Sequence, residues 1–226
     1  LKNYPNGWKG FGGISFATFF KNSGFVTVLS TIGIVASSTV TAYGFARIRF
    51  PGSKIWFSCM LLSMMIPFQV LMVPQYMMFN LFGWTGTYLP LIVPSFFINA
   101  CGIFLTVQFI KGIPRDLDEA AKIDGCSTYT IFLRIIVPLI VPAMVTNGIF
   151  AFIGKWDDFM SALLYLNKPQ QYTLALALKL FCDPSSTSDW GAMFAMAILS
   201  LIPVFLIFAF FQKYLVEGIS ASGLKG

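Results

Sequence analysis

Charged residues with an ordered spacing occur between Asp116 and Gly125, in the stretch DLDEAAKIDG. Asp116 precedes Glu119 by the spacing of a capping box, in which the two side chains bind backbone amides at the start of a helix. Gly125 is the residue type that most readily ends a helix in a left-handed conformation. The pattern therefore predicts a short helix over residues 117–124.

A helix of this length is marginal by itself in water, so neighbouring structure must hold it in place. One interpretation is a capped connector between two membrane spans. The other is a projection that docks on another protein, for which the small side chains of Ala120 and Ala121 would allow entry into a cleft. The residues alone leave both interpretations open.

The remaining sequence excludes most catalytic chemistry. The nearest approach to a nucleotide-binding loop is Gly148 to Lys155, which has the wrong spacing and is followed by Trp156 instead of Ser or Thr. Histidine is absent, and the four cysteines have no paired spacing, so neither a metal site nor a disulfide framework is indicated. We therefore expect a protein that is not an enzyme, with no catalytic residue, no metal and no cofactor bound by this chain.

Composition places the chain in the membrane. It is 57% hydrophobic and only 11% charged, with a mean hydropathy of +0.76, whereas soluble domains carry about 25% charged residues. Long uncharged stretches indicate an all-α polytopic protein. Residues 1–23 are predicted to form an extracytoplasmic segment, and residues 24–226 the transmembrane domain. Its five predicted spans are 25–46, 55–79, 88–110, 130–154 and 190–211.

The basic residues predict the orientation. They form clusters at 47–54, at 111–134 and at 213–225, and all three clusters fall on one side of the five predicted spans. The positive-inside rule makes that side cytoplasmic. The net charge of +6 comes from these short loops beside the spans, so it does not indicate a nucleic-acid partner.

Neutral amides are the candidate groups for a pathway through the membrane: Gln69, Gln75, Asn99 and Asn147. An amide both donates and accepts hydrogen bonds, which suits the hydroxyl groups of a sugar. The alternative is that they join neighbouring helices, at about 0.6 kcal/mol each. No Asp or Glu precedes Asp116 or lies within a predicted span, which argues against a carrier coupled to protons or sodium.

The predicted helix also carries a family resemblance. Glu119-Ala120-Ala121, Gly125, Ile135 and Pro138 are spaced as in the EAA signature of ABC importer permeases, with Val137 where that family usually has Leu. Three further pieces resemble the maltose-type, MalG-like branch of these sugar permeases. They are FARIRFPG (45–52), IPFQVLMVPQY (66–76) and the tail FQKYLVEGISASGLKG (211–226).

The resemblance implies a permease bundle of six spans in the cell membrane of a prokaryote, of which this chain contains five. It also implies four kinds of partner besides membrane lipid: a homologous permease, two cytoplasmic ATPase subunits that bind ATP and Mg, and an extracytoplasmic sugar-binding protein. By the same resemblance, the residues that couple this chain to the ATPase are Leu117, Glu119, Ala120, Ala121, Asp124 and Gly125.

The long segment 155–189 resembles the extracytoplasmic loop that precedes the last span in this family. It is expected to contact the sugar-binding protein, or alternatively to cover the bundle as an interfacial lid. The overall prediction is the permease subunit of an oligosaccharide importer. A permease for another solute class, or less readily a secondary carrier or channel, remains the alternative.

Overall fold

The computed structural model of the chain describes residues 2–97, 99–180 and 189–223, and within these ranges every named element is helical, as predicted. The helices are α1 (Asn3–Trp8), α2 (Phe16–Arg47), α3 (Ser53–Ser63), α4 (Phe68–Leu81), α5 (Leu89–Ile92), α6 (Ala100–Gly112), α7 (Asp116–Ile123), α8 (Thr128–Ile131), α9 (Val137–Leu139), α10 (Val141–Trp156), α11 (Phe159–Tyr165), α12 (Leu174–Leu180) and α13 (Trp190–Gly223). Short 3₁₀ turns follow α5 (Val93–Phe96) and precede α12 (Pro169–Gln171), and a π-helical turn (Phe132–Ile136) joins α8 to α9.

The longest apolar helices are consistent with membrane spans. Among the described residues, three segments are each long and apolar enough to cross a bilayer: Phe16–Arg47, Trp190–Tyr214, and Leu89–Gly112, which comprises α5, the 3₁₀ turn and α6. Two further pairs satisfy the same condition together but are bent, α3 with α4 by 99° and α8–α9 with α10 by 72°. If each bent pair is one span, the described chain has five spans.

Helix α2 is the centre of the bundle and packs against both α6 and α10. Its 32 residues extend about 48 Å at 1.5 Å per residue. The face that it buries consists largely of small side chains, among them Ser30, Gly33, Ser38, Ala42 and Ala46. Small residues let helix backbones approach closely, and in lipid this close packing is the main attraction between helices.

The helix that contains the first predicted span, 25–46, extends beyond it at the N-terminal end. Helix α2 starts at Phe16, where the Ser15 hydroxyl accepts a hydrogen bond from the Ala17 amide (3.4 Å). Phe16 and Phe19 are completely buried, so this turn belongs to the bundle. The polar pair Lys21-Asn22 does not end the helix, because the Asn22 side chain donates to the carbonyl oxygens of Gln170 and Tyr172.

The predicted spans 55–79 and 130–154 are not single straight helices. Pro67 lies at the start of α4, and Pro138 and Pro142 lie in the first turns of α9 and α10. Proline supplies no amide for the helical ladder and pushes the preceding residue out of the helical conformation. The predicted span 130–154 has a second irregularity, the π-helical turn over Phe132–Ile136.

The described part of the segment 155–189, residues 155–180 and 189, is largely helical and is not an irregular loop. It contains α11 and α12, and Leu174, Leu176 and Ala177 of α12 are buried. The Leu174 amide donates to the Ser23 hydroxyl of α2 at 2.6 Å. This segment therefore packs on the end of α2 opposite to Arg47, while its residues 181–188 lie outside the described ranges.

Gly102 marks the closest approach of α6 to its neighbours. A Cβ at this position would lie 2.5 Å from the Asn147 Oδ1 and 2.7 Å from the Ser38 Oγ. We expect Gly102→Ala to destabilise the chain by about 1–3 kcal/mol, because the buried neighbours must move apart. Thermal unfolding in detergent measures this.

Gly24→Ala in α2 is the matched control, because a Cβ there would meet nothing within 4 Å. Alanine should be neutral or stabilising at that position, by up to about 1 kcal/mol. Equal melting temperatures for the two variants would contradict the close packing of α6.

Candidate functional site

Helix α7 begins one residue earlier than predicted and without the predicted capping box. Arg115 occupies the N-cap in a helical conformation (φ −73°, ψ −20°) and no side chain caps the helix. The amides of Asp118 and Glu119 both donate to the Arg115 carbonyl oxygen, at 2.9 and 3.1 Å. Asp116 is therefore the first helical residue, and its carboxylate acts on the positive end of the helix dipole instead of as a cap.

The predicted end of α7 at Gly125 is confirmed. Gly125 has a φ of +78°, the left-handed region that other residues avoid. The Gly125 amide donates to the Lys122 carbonyl oxygen (3.0 Å), and the Cys126 amide donates to that of Ala121 (2.9 Å). This pair of bonds is a Schellman motif, which satisfies carbonyl groups at the end of the helix.

An ion pair attaches α7 to the end of α2. The Arg47 Nε lies 3.0 Å from the Asp118 Oδ2, and the two side chains are only 5% and 13% exposed. The Arg47 Nε–H does not point at a carboxylate oxygen, and the Asp118 Oδ1 is also buried without a hydrogen bond. The contact is therefore an ionic one whose hydrogen-bonding capacity is only partly used.

Two arginine side chains also donate hydrogen bonds to backbone carbonyl oxygens across this junction, one in each direction. The Arg47 Nη2 donates to the Ile113 carbonyl oxygen just before α7, at 2.8 Å. The Arg115 Nη2 donates to the Ala46 carbonyl oxygen at the end of α2, at 3.3 Å. With the ion pair, these bonds supply the neighbouring support that an isolated helix of this length lacks.

The two faces of α7 have different surroundings. Ala121 is 6% exposed and packs in an apolar cluster with residues of α2 and α6, so it faces its own bundle and leaves Ala120 as the small exposed side chain of the predicted docking helix. Ile123 is 87% exposed and Leu117 is 43% exposed. Glu119, Ala120, Asp124 and Gly125 are exposed as well. The outward surface of α7 thus combines apolar side chains with carboxylates.

A cleft of about 470 Å³ lies between the end of α2, α7 and the start of α8. It is lined by Arg47, Arg49, Arg115 and Lys122 against Asp118 and Glu119. Basic residues thus outnumber acidic ones at this end of the bundle, as expected for a cytoplasmic end.

The predicted pathway amides separate into two pairs. Asn99 and Asn147 line one cavity of about 220 Å³ between α2, α6 and α10, called here the amide cavity. Gln69 and Gln75 lie on α4 and are not part of its lining. The Asn99 Oδ1 accepts the Gly102 amide at 2.7 Å, so this side chain also caps α6.

Lys155 is a lining residue that the sequence reasoning missed. Its side chain joins Asn99 and Asn147 at the amide cavity, and its Nζ lies 3.5 Å from the Leu91 carbonyl oxygen. A signal was available, because Lys155 is the only charged residue between Arg134 and Asp157. Among the described residues, no group of three or more His, Cys, Asp or Glu side chains could hold a metal ion.

Known proteins that are similar to this chain are transport proteins. Residues 14–221 match the family described as "Binding-protein-dependent transport system inner membrane component". The probable ABC transporter permease protein YurM of Bacillus subtilis is 34% identical over 226 residues, covering 100% of this chain and 74% of the relative. The maltose/maltodextrin transport system permease protein MalG of Salmonella typhimurium is 37% identical over 214 residues, covering 91% and 71%.

A third relative is the arabinooligosaccharides transport system permease protein AraQ of Halalkalibacterium halodurans, 29% identical over 209 residues, with 92% of this chain and 74% of the relative covered. One solved structure, a bacterial ABC transporter involved in the import of the acidic polysaccharide alginate, superposes with a TM-score of 0.79 at 22% identity. The superposition covers 88% of this chain and 75% of that chain, and it establishes the fold. The predicted family is confirmed: the chain belongs to the inner-membrane components of binding-protein-dependent transport systems, the permeases of ABC importers, and is a multi-pass protein of the cell membrane.

Proposed function

We propose that this chain is one permease subunit of an ATP-driven saccharide importer and that α7 couples it to a cytoplasmic ATPase. The saccharide class is supported by the names of its relatives, which are permeases for maltose/maltodextrin and for arabinooligosaccharides. In the proposed assembly a second, homologous permease completes the pathway. Two ATPase subunits bind ATP and Mg, and an extracytoplasmic binding protein delivers the sugar.

The observation that carries this proposal is the exposed side of α7. Ile123 is 87% exposed at the tip of a helix whose other face is fixed by Asp118 and Ala121. A large apolar side chain presented on a rigid support is typical of the central residues of protein interfaces. The carboxylates of Asp116, Glu119 and Asp124 surround it on the same short element, which suits a polar rim.

The contacts of α7 also suit the transfer of motion. When the ATPase subunits close, a displaced α7 would pull on α2 through the Arg47–Asp118 ion pair and the bonds to Ile113 and Ala46. Helix α2 packs on α6 and α10, the same helices that line the amide cavity. Packed bundles switch between discrete arrangements, so a small rigid-body shift is sufficient to reorient such a cavity.

Co-purification tests the assembly. A tag on this chain should retain a second permease and an ATPase, and Ile123→Asp should weaken retention of the ATPase by about 30-fold, the effect of losing roughly 2 kcal/mol at an interface centre. Leu163→Asp is the matched control, because Leu163 is also exposed (51%) but lies on α11, at the opposite end of α2.

Equal retention of the ATPase by both variants and the wild type would show that α7 is only a connector. Saccharide uptake into vesicles that continues without ATP or the ATPase would instead favour a secondary carrier or a channel. The coupled importer predicts that uptake stops in both cases.

A further inference from the structure

The wall of the amide cavity contains a buried hydrogen-bond donor that is left unpaired. Asn147 is 5% exposed, and its Nδ2 is buried without a hydrogen-bond partner, an arrangement that normally costs about 1–3 kcal/mol. The Oδ1 of Asn99, the other amide in the lining, already accepts the Gly102 amide. The Asn147 amide is therefore a donor at the wall of the cavity that no described group satisfies, and the Ser38 Oγ beside it is also buried without a partner.

The cavity also contains a positive charge that nothing in its lining neutralises. Of the lining residues, Lys155 is the only charged one. It has no carboxylate within ion-pair distance among the described residues. The Asp158 carboxylate accepts a hydrogen bond from the Ser161 amide at 3.0 Å and forms no ion pair with Lys155.

The simplest alternative is that Lys155 stabilises the C-terminal end of its own helix, α10. A lysine in the last turn interacts favourably with the helix dipole, and a long side chain near a span end can extend into water. Lys155 instead turns towards the Leu91 carbonyl oxygen of α5. Leu91 is 3% exposed and its carbonyl oxygen already accepts the Ser30 hydroxyl at 3.2 Å. The ammonium group thus points into the bundle and has only a long, shared acceptor.

We infer that the amide cavity binds a carboxylate carried by the transported saccharide, with Lys155 as the counter-ion and the Asn147 amide as a hydrogen-bond donor. The inference rests on the proposed function and specifies its substrate class as an acidic sugar. A volume of about 220 Å³ is below the 300–1,000 Å³ typical of a complete ligand site. It suits one charged sugar ring. The cavity opens at the exposed residues Cys101, Phe150 and Gly154, so the remaining sugar units would lie in the pathway shared with the second permease.

Transport by the assembled complex tests this inference. The transporter, with its second permease, ATPase and binding protein, is given pairs of labelled disaccharides that differ only in a C6 carboxylate or a C6 hydroxymethyl group. Lys155→Met should raise the KM for acidic disaccharides at least about tenfold, because charge-assisted hydrogen bonds are the strong ones, and should leave neutral uptake unchanged. Lys155→Arg should keep most of the acidic uptake.

Two further variants make the result decisive. Lys21→Met is the matched control, since Lys21 is an exposed lysine of α2 outside the cavity, and it should have no effect. Asn147→Asp places a negative charge beside the expected carboxylate and should reduce acidic uptake selectively, even if Lys155→Met fails to assemble.

The outcomes separate this inference from the proposed function. Uptake of neutral disaccharides alone, indifferent to Lys155→Met, would overturn the acidic-sugar inference and leave the importer proposal in place. Equal slowing of both members of a pair would give Lys155 a purely structural role and also overturn it. If the complex retains its ATPase but transports no saccharide of either kind, the proposed function fails, and the inference fails with it.

Discussion

Arg47→Met should uncouple ATP hydrolysis from uptake more strongly than any other single change at the α2–α7 junction. The substitution leaves Asp118, whose side chain is 13% exposed, as a buried charge without a counter-ion. Breaking a buried pair in this way costs about 3–5 kcal/mol. The bond from Arg47 to the Ile113 carbonyl oxygen is lost as well. We therefore expect α7 to detach from α2, with a fall in saccharide transported per ATP hydrolysed.

The double variant Arg47→Met/Asp118→Leu tests whether the charge is the cause. Replacing both partners of a buried pair with apolar side chains is often neutral for stability, so the melting temperature should recover. Transport per ATP should recover less, because the second bond from Arg47 remains absent. Arg49→Met is the control, since Arg49 lines the same cleft but is exposed. Equal loss of coupling in Arg47→Met and Arg49→Met would contradict a specific role for the ion pair.

The end of α7 was predictable from the sequence, whereas its beginning was not. A glycine after a short amphipathic stretch ends a helix readily because it adopts the left-handed conformation, and Gly125 does so. The start depends on tertiary structure: the Arg115 side chain donates to the Ala46 carbonyl oxygen, and the Arg115 backbone takes up the helical conformation there. Local spacing between Asp116 and Glu119 carries no information about that distant contact.

The positions of the bends between helices are a second feature that the sequence does not predict. Prolines disrupt helices, yet Pro74 and Pro203 lie inside α4 and α13, whereas the bend between α3 and α4 falls just before Pro67. All of these prolines stand in apolar stretches of similar composition. Which one breaks a span depends on whether neighbouring helices compensate the lost hydrogen bonds, and a single sequence does not contain that information.

The amide cavity contains residues that the sequence predicted and one that only the structure reveals. Asn99 and Asn147 were candidates by residue type, and the close approach of α6 to α10 at Gly102 brings them to one cavity. Gln69 and Gln75 were equally good candidates but lie on the bent α3–α4 pair, away from it. Lys155 was overlooked because a lysine after a long apolar run indicates the end of a span. Its inward direction becomes apparent only from the contact of its Nζ with the Leu91 carbonyl oxygen of α5.

Gly125→Val should abolish most saccharide uptake while the chain still inserts and assembles. At a φ of +78° a residue with a Cβ is strained by about 1–2 kcal/mol, and a β-branched residue by more. No atom lies within 4 Å of a Cβ built at this position, so steric collision contributes nothing and backbone strain is the whole cause. The valine variant should relieve the strain by unwinding the last turn of α7, which carries Ile123.

Gly125→Asn separates this mechanism from a general requirement for glycine. Asparagine enters the left-handed region far more readily than valine, so it should preserve the bond from the Cys126 amide to the Ala121 carbonyl oxygen and most of the uptake. The measurement is the ratio of saccharide transported to ATP hydrolysed in reconstituted vesicles, together with retention of the ATPase on the tagged chain. Because the strain is small compared with the stability of a helical bundle, the melting temperature should change little in either variant. If the valine and asparagine variants have the same transport ratio, the left-handed end of α7 is not what positions Ile123 on its partner.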